Sequence, residues 1–220
     1  MAHVIAVANQ KGGCGKTTAS INLAGCLAQG EAEVLLVDAD PQGSSMRWRS
    51  INLEAPVSFQ VIAIATAALH REVLGLAKKY DYVVIDCPPG GPAGADNITR
   101  SALMAAGLVI IPLQPSPLDL WSGEDMAALI RRAQGVNPNL SAYVLISRRV
   151  GNTALGKQAR EAAAAFGLPV FKTEITQRIA LAEAILAGQS ISQYAPASAA
   201  AKEFKELSKE VVSCLKSPAL

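Results

Sequence analysis

No cysteine pair, no long apolar run and no block of like charge organises this chain. The four cysteines (Cys14, Cys26, Cys87, Cys214) are scattered through 220 residues. They form no C-x-x-C pair and show no metal-ligand spacing, so reduced thiols are expected. No apolar stretch reaches the ~18 residues of a membrane span. Met1-Ala2-His3 leads straight into a strand pattern, without a charged start and apolar signal region, and a cytoplasmic location is the expectation. Linkers, low-complexity tracts and internal repeats are missing too, which predicts one domain over residues 1–220. Charged residues make up only 17% of the chain against 50% hydrophobic, a balance that excludes a disordered polymer and suits a sizeable core.

Net charge is +2, but it is unevenly placed. Residues 1–140 hold 10 Lys+Arg against 12 Asp+Glu, whereas residues 141–220 hold 10 against 6. The basic excess in the last third fits either a polyanion partner or an ordinary solvated helical surface.

Apolar runs of strand length recur at Val4–Ala8, Val34–Val37, Phe59–Ile64, Tyr82–Ile85, Leu108–Leu113, Tyr143–Ile146 and Pro169–Phe171. They are continuous rather than alternating, as parallel strands covered on both faces require. Helical stretches fall between them at Lys16–Gln29, Ala67–Lys79, Asp96–Ala106, Leu118–Arg132 and Thr153–Phe166. The alternation predicts an α/β fold, a doubly wound and mostly parallel sheet with helices on both faces. Functional residues then belong at the carboxyl ends of the strands.

The first run ends in Gln10-Lys11-Gly12-Gly13-Cys14-Gly15-Lys16-Thr17-Thr18. This fits the phosphate-loop pattern G-x-x-x-x-G-K-[ST] when Gln10 stands in for the first glycine. Gly12, Gly13 and Gly15 let backbone N–H groups close around a polyphosphate. Lys16 would reach the β- and γ-phosphates, and the Thr17 hydroxyl would take one Mg²⁺ position. The helix opening at Lys16 points its positive end at the same anion. A glycine-rich turn with two solvated lysines is the plainer alternative, and the strand before and helix after the loop weigh against it.

Lys11 is one lysine more than a phosphate loop needs. Lys11 to Thr18 resembles, at every fixed position, the deviant Walker family of ATPases, whose loop reads K-G-G-x-G-K-[ST]-T. That resemblance implies ATP/ADP and Mg²⁺ as ligands. It also implies that Lys11 reaches across a homodimer interface to the partner's phosphates, so that ATP joins the two subunits.

The second run closes in Asp38-Ala39-Asp40-Pro41-Gln42-Gly43. An Asp-Pro turn is one reading. Two carboxylates at the end of a buried strand also need a cation or water. The segment resembles the family's first switch motif, which implies that Asp40 positions or activates the attacking water. Asp38 is then expected to help organise Mg²⁺ waters and the loop. The run Tyr82–Ile85 is closed by Asp86 in the Walker B layout, which would deliver that carboxylate to Mg²⁺ beside Thr17. Pro88, Pro89, Gly90 and Gly91 suit the second switch loop.

Further along, Pro115-Ser116-Pro117-Leu118-Asp119 resembles small ParA-type partition ATPases of the ParF-like group. Phe171–Arg178 and Ala184–Ser190 are similar to segments of the same group, so the likeness runs from residue 3 to about 216. One departure is the absence of an asparagine after the sixth strand, where Ser147-Arg148-Arg149 follows instead; adenine recognition would then fall to backbone groups. The resemblance implies slow ATP hydrolysis stimulated by a ParB-like or small adaptor protein. It also implies a nucleoid-associated homodimer holding DNA without sequence preference, with Arg148, Arg149, Arg178, Lys202, Lys205 and Lys209 as candidate contacts. The closing stretch has apolar residues at 204, 207, 211, 212 and 215, helix spacing with one apolar face. Its mixed Lys and Glu suit packing on the domain better than a MinD-like membrane helix. Metal- or cluster-handling relatives, and a scaffold that binds nucleotide without turnover, are the other functional alternatives. A tyrosine kinase of the same loop type is disfavoured, since Tyr80, Tyr82, Tyr143 and Tyr194 form no terminal cluster.

Overall fold

The computed structural model describes residues 2–54, 57–91, 95–151, 160–161, 163–164 and 167–216, with the side chains of 117–122 excepted. Six strands form one sheet: β1 (His3–Val7), β2 (Val34–Asp38), β3 (Gln60–Ala63), β4 (Tyr82–Asp86), β5 (Leu108–Leu113) and β6 (Ser141–Ile146). Their spatial order is β3-β2-β4-β1-β5-β6, and every pairing is parallel. The doubly wound α/β expectation holds.

Alternate residues of each apolar run serve opposite faces. Val4, Ala6, Val83, Ile85, Val109 and Ile111 join one buried cluster. It is covered by α3 (Leu69–Leu76, continued by the 3₁₀ turn Ala77–Lys79), α4 (Ala95–Ala105) and α5 (Pro117–Gln134). Ile5, Val7, Leu36, Val84 and Ile110 join the other. That face is covered by α1 (Lys16–Leu27), α6 (Ile179–Leu186), α7 (Ile191–Tyr194) and α8 (Ala199–Lys216). Burial on both sides removes any period-2 signal, which is why the runs read as continuous. In α8, Phe204, Leu207 and Val211 are buried and Val212 and Leu215 pack against the same cluster, as the helical spacing predicts.

Three expectations need correction or restriction. Pro169–Phe171 is no strand but a single parallel bridge between Val144 and Val170, since Pro169 has no N–H to extend a ladder. A helix absent from the sequence reading, α2 (Ser44–Ile51), follows the Asp-Pro turn. Most of the expected helix Thr153–Phe166, and the side chain of Trp121, lie outside the described residues.

α2 is short and polar, and tertiary contacts hold it. Trp48 is 2% exposed and stacks on Phe59 with centroids 5.8 Å apart. At its far end Asn52 Nδ2 donates to the Ala187 carbonyl and Trp48 Nε1 to that of Gln189, both at 3.4 Å. Gly188 has φ +65, and a Cβ there would lie 2.8 Å from Asn52 Cβ. Among the described residues, no helix is long and apolar enough to cross a membrane.

Candidate functional site

The carboxyl ends of β1, β2 and β4 meet where the chain reverses its winding direction, with β1 between β4 and β5. A crevice is expected there in an open parallel sheet. An open cleft of about 1020 Å³ occupies it, lined by Gly12, Gly13, Gly15, Lys16, Thr17, Thr18, Asp40, Ser44, Pro89, Ser147 and Arg148. Ile175–Ile179 and residues of α6 form its outer wall.

The loop from Lys11 to Gly15 folds from its own backbone outward. Asn9 anchors its start, donating to the Pro112 carbonyl at 2.6 Å and accepting the Lys11 N–H at 3.1 Å. Gly13 (φ +74) and Gly15 (φ +96) are left-handed, a conformation that a Cβ makes costly. Gly15 has a second reason to be glycine, because a Cβ there would sit 2.8 Å from Ser147 Oγ. It is also the N-cap of α1, with no side-chain cap. The first amides of that helix are therefore available to an anion. Lys16 is buried, and its Nζ donates to the Lys11 carbonyl at 2.8 Å and, at 4.0 Å, to Cys14 Sγ, which leaves one ammonium proton for a ligand. Cys14 is buried and its Sγ reaches the Lys11 carbonyl at 3.3 Å, a packing role.

Behind the loop lies a buried acidic centre. Asp38 and Asp86 are register partners on β2 and β4, and both are fully buried. Asp86 accepts hydrogen bonds from Ser20 Oγ (3.2 Å), from Ser45 Oγ (2.9 Å) and from the side chain of Thr17. Burial pushes its carboxyl up to about 6; the three hydroxyls pull it down, and the Asp38 charge pushes it up. Asp38 is also raised, again chiefly by burial. Its oxygens accept the N–H groups of Asp40 (3.2 Å) and Met46 (2.9 Å), which ties it to the start of α2. Asp40 lines the cleft, and its Oδ1 accepts the Gln42 N–H at 2.9 Å in the expected Asp-Pro turn.

These residues fit a magnesium nucleotide. A buried carboxylate crowded by a second one is stabilised by a cation, and Thr17 stands beside it with a hydroxyl suited to the same ion. Glycines whose Cβ positions face open space at 12 and 13 let backbone approach phosphates. The loop after β4 touches the start of the phosphate loop, since the Gly90 N–H donates to the Gln10 carbonyl at 2.7 Å. A Cβ on Gly90 would lie 2.9 Å from Gln10 Cβ.

The arginines proposed for DNA are held elsewhere. Arg148 Nη1 donates to the Gly13 carbonyl at 2.8 Å, inside the cleft. Arg148 has φ +53 and is the one left-handed residue other than glycine among the described residues. Such a conformation costs on the order of 1–3 kcal/mol. Arg149 pairs with Glu174 at 3.0 Å and Arg178 with Glu203 at 2.8 Å. Lys202, Lys205 and Lys209 are exposed on α8, with Lys209 paired to Glu206 at 2.7 Å. Gln114, Ser20 and Ser45 had no assigned role in the sequence reading. Gln114 directly follows β5, a signal of its position, whereas Ser20 and Ser45 lie inside α1 and α2 and nothing in their spacing points to one centre.

The description "CobQ/CobB/MinD/ParA nucleotide binding domain" belongs to the family model that matches residues 5–191. The chain is 34% identical over 218 residues to maintenance of carboxysome distribution protein A of Halothiobacillus neapolitanus, covering 96% of this chain and 97% of that protein. It is 34% identical over 240 residues to the chromosome-partitioning ATPase Soj of Thermus thermophilus, covering 95% of each. The fold is shared with cobyrinic acid a,c-diamide synthase from Mycobacterium smegmatis, solved with a bound ATP analog and magnesium. That match has TM-score 0.79 and 24% identity, and covers 100% of this chain and 97% of the other.

Proposed function

The chain belongs to the CobQ/CobB/MinD/ParA family of nucleotide-binding domains, and from that premise we propose an ATP-dependent dimerisation switch that hydrolyses ATP to position a cargo. The observation that carries this is that Lys16, Thr17 and Asp40 line one cleft at a loop that begins with Lys11, with the buried Asp86 accepting the Thr17 side chain behind them. Mg-ATP, when bound, supplies the transferable phosphoryl group and a counter-charge for the buried acids. Backbone amides of Gly12 to Lys16 cradle the phosphates, and Lys16 neutralises the charge that develops on transfer. Thr17 and Asp86 would hold Mg²⁺, and Asp38 would help organise its waters and the surrounding backbone. Asp40 orients the attacking water. Lys11 lies at the loop's lip, where a second copy brings its own triphosphate within reach.

Charge neutralisation between two subunits makes pairing depend on the γ-phosphate, because ligand that binds only the dimer drives dimerisation by mass action. Turnover is slow and stimulated by an adaptor protein. The family relatives named for carboxysome distribution and chromosome partitioning support a cargo-positioning role. The dimer holds nucleoid DNA without sequence preference through Lys202, Lys205 and Lys209, the expected contacts that lie exposed on α8.

Light scattering on the purified protein with Mg-ATP, Mg-ADP and no nucleotide tests the switch. Dimers with Mg-ATP alone, lost in Lys11→Ala while ATP binding survives, are expected. A Lys11→Ala protein that still dimerises with ATP and hydrolyses it at the native rate rejects the reading.

A further inference from the structure

The exit of β6 is locked on both sides of one residue. Ser147 is buried, and its N–H donates to the Leu113 carbonyl at 2.9 Å. On the other side the Arg149 N–H donates to the Ile175 carbonyl at 3.0 Å, the Gln177 N–H donates back to the Arg149 carbonyl at 2.9 Å, and Arg149 pairs with Glu174. Between these anchors Arg148 takes its left-handed conformation (φ +53), and its guanidinium meets the phosphate loop. The acceptor is the Gly13 carbonyl, at 2.8 Å. Gln114, at the carboxyl end of neighbouring β5, donates Nε2 to that same oxygen at 2.7 Å. Two side chains from the segments that follow β5 and β6 thus occupy both acceptor directions of one loop carbonyl.

We infer that Arg148 and Gln114 are positioning residues that clamp the Gly13 peptide and hold the phosphate loop in its anion-binding shape before nucleotide arrives. The chemistry follows from peptide planarity. A carbonyl and the next amide point in opposite directions across one rigid plane, so pinning the Gly13 oxygen fixes the orientation of the Gly13–Cys14 peptide. Glycine at 12, 13 and 15 makes the loop permissive, and a permissive loop loses entropy when it closes on a ligand. Fixing the Gly13 carbonyl from two sides removes part of that loss. A left-handed arginine is retained here because a relaxed backbone at 148 would aim the guanidinium elsewhere.

The inference rests on the nucleotide-binding reading, and inorganic pyrophosphate separates the two. Affinities of Mg-ATP, Mg-ADP and pyrophosphate for the native chain, Gln114→Ala, Arg148→Ala and the double variant are measured by calorimetry, with hydrogen exchange of the loop amides in the unliganded proteins. Each single variant is expected to lose about five- to twentyfold in affinity for all three ligands alike. Faster exchange across residues 12–16 is expected in each. The double variant should lose less than the product of the single losses, since both act on one oxygen. Variants that bind pyrophosphate as the native chain does, or loop exchange that stays unchanged, overturn the clamp and leave the nucleotide reading standing. A native chain that binds none of the three ligands overturns both. Gln114→Ala alone decides the matter if Arg148→Ala does not fold.

Discussion

Asp38 and Asp86 stand side by side on neighbouring strands, and the first turn of one short helix holds them both. The Met46 N–H donates to Asp38 at 2.9 Å and the Ser45 hydroxyl to Asp86 at 2.9 Å. Two adjacent buried carboxylates repel each other, and each loses hydration. α2 compensates with a backbone donor for one and a hydroxyl for the other. The buried acidic pair and the segment carrying Asp40 are therefore one mechanical unit.

Removing the buried charge should stabilise the empty protein. In Asp86→Asn the hydroxyl partners remain while the buried anion disappears. Ligand-free Asp86→Asn is expected to unfold at a higher temperature than the native chain at pH 7.5, yet to gain nothing from added Mg²⁺ in nucleotide binding. Thermal unfolding with and without Mg-ATP checks both halves; a lower melting point in the empty variant contradicts the first.

The same group sets a pH dependence. Its folded carboxyl sits at about 6 against 3.8 in the unfolded chain. Between those values the folded state binds more protons, so unfolding free energy falls as pH climbs from about 4 to about 6 and levels off above. The loss is roughly 3 kcal/mol at one pH unit per 1.36 kcal/mol. Asp38, raised by burial, acts in the same direction. Urea titrations across pH 4.5–7.5 should show the slope in native protein and a shallower one in Asp86→Asn.

Ser45→Ala tests the link through α2. A hydroxyl donating to a carboxylate contributes about 1.5–3 kcal/mol, so its loss raises the Asp86 carboxyl further. The acidic limb of the ATPase pH profile is expected to move upward, with turnover at pH 7 reduced several-fold. An unmoved limb would show that Ser45 merely fills space.

Gly188→Ala should be costly far from the cleft. Position 188 has φ +65, and a Cβ meets Asn52 Cβ at 2.8 Å and Asn52 N at 3.0 Å. Strain and overlap together should cost about 2–4 kcal/mol, a fall in melting temperature of roughly 5–15 °C for a domain of this size. Calorimetry on the ligand-free variant measures it.

DNA binding, if carried by α8, is electrostatic. Lys202→Glu with Lys205→Glu should weaken ATP-dependent DNA binding equally for unrelated sequences. The slope of log affinity against log salt should flatten by roughly one to two. The same charge reversals at Arg149 or Arg178 would break ion pairs with Glu174 or Glu203 and report on folding instead.

What the chain alone determined is local or repetitive. The motif from Lys11 to Thr18 carries its chemistry in nine contiguous residues counted from Gln10, and an Asp at the end of an apolar strand is readable without knowing its neighbours. Seven apolar runs without alternation announce a parallel sheet because strands covered on both faces show no period-2 signal, although one of them, Pro169–Phe171, forms only a bridge. Tertiary structure alone decided which side chains from distant strands meet. Ser20 and Ser45 reach Asp86 across 66 and 41 residues, and Arg148 and Gln114 reach Gly13 across 135 and 101. α2 was illegible for the same reason: its sequence is polar, and its helix is held by Trp48 in the core and by Asp38 beneath its first turn. That the exposed Arg148 turns its guanidinium to the Gly13 carbonyl is illegible in the sequence, because charge is local information, whereas the direction of a side chain depends on the backbone conformation that packing imposes.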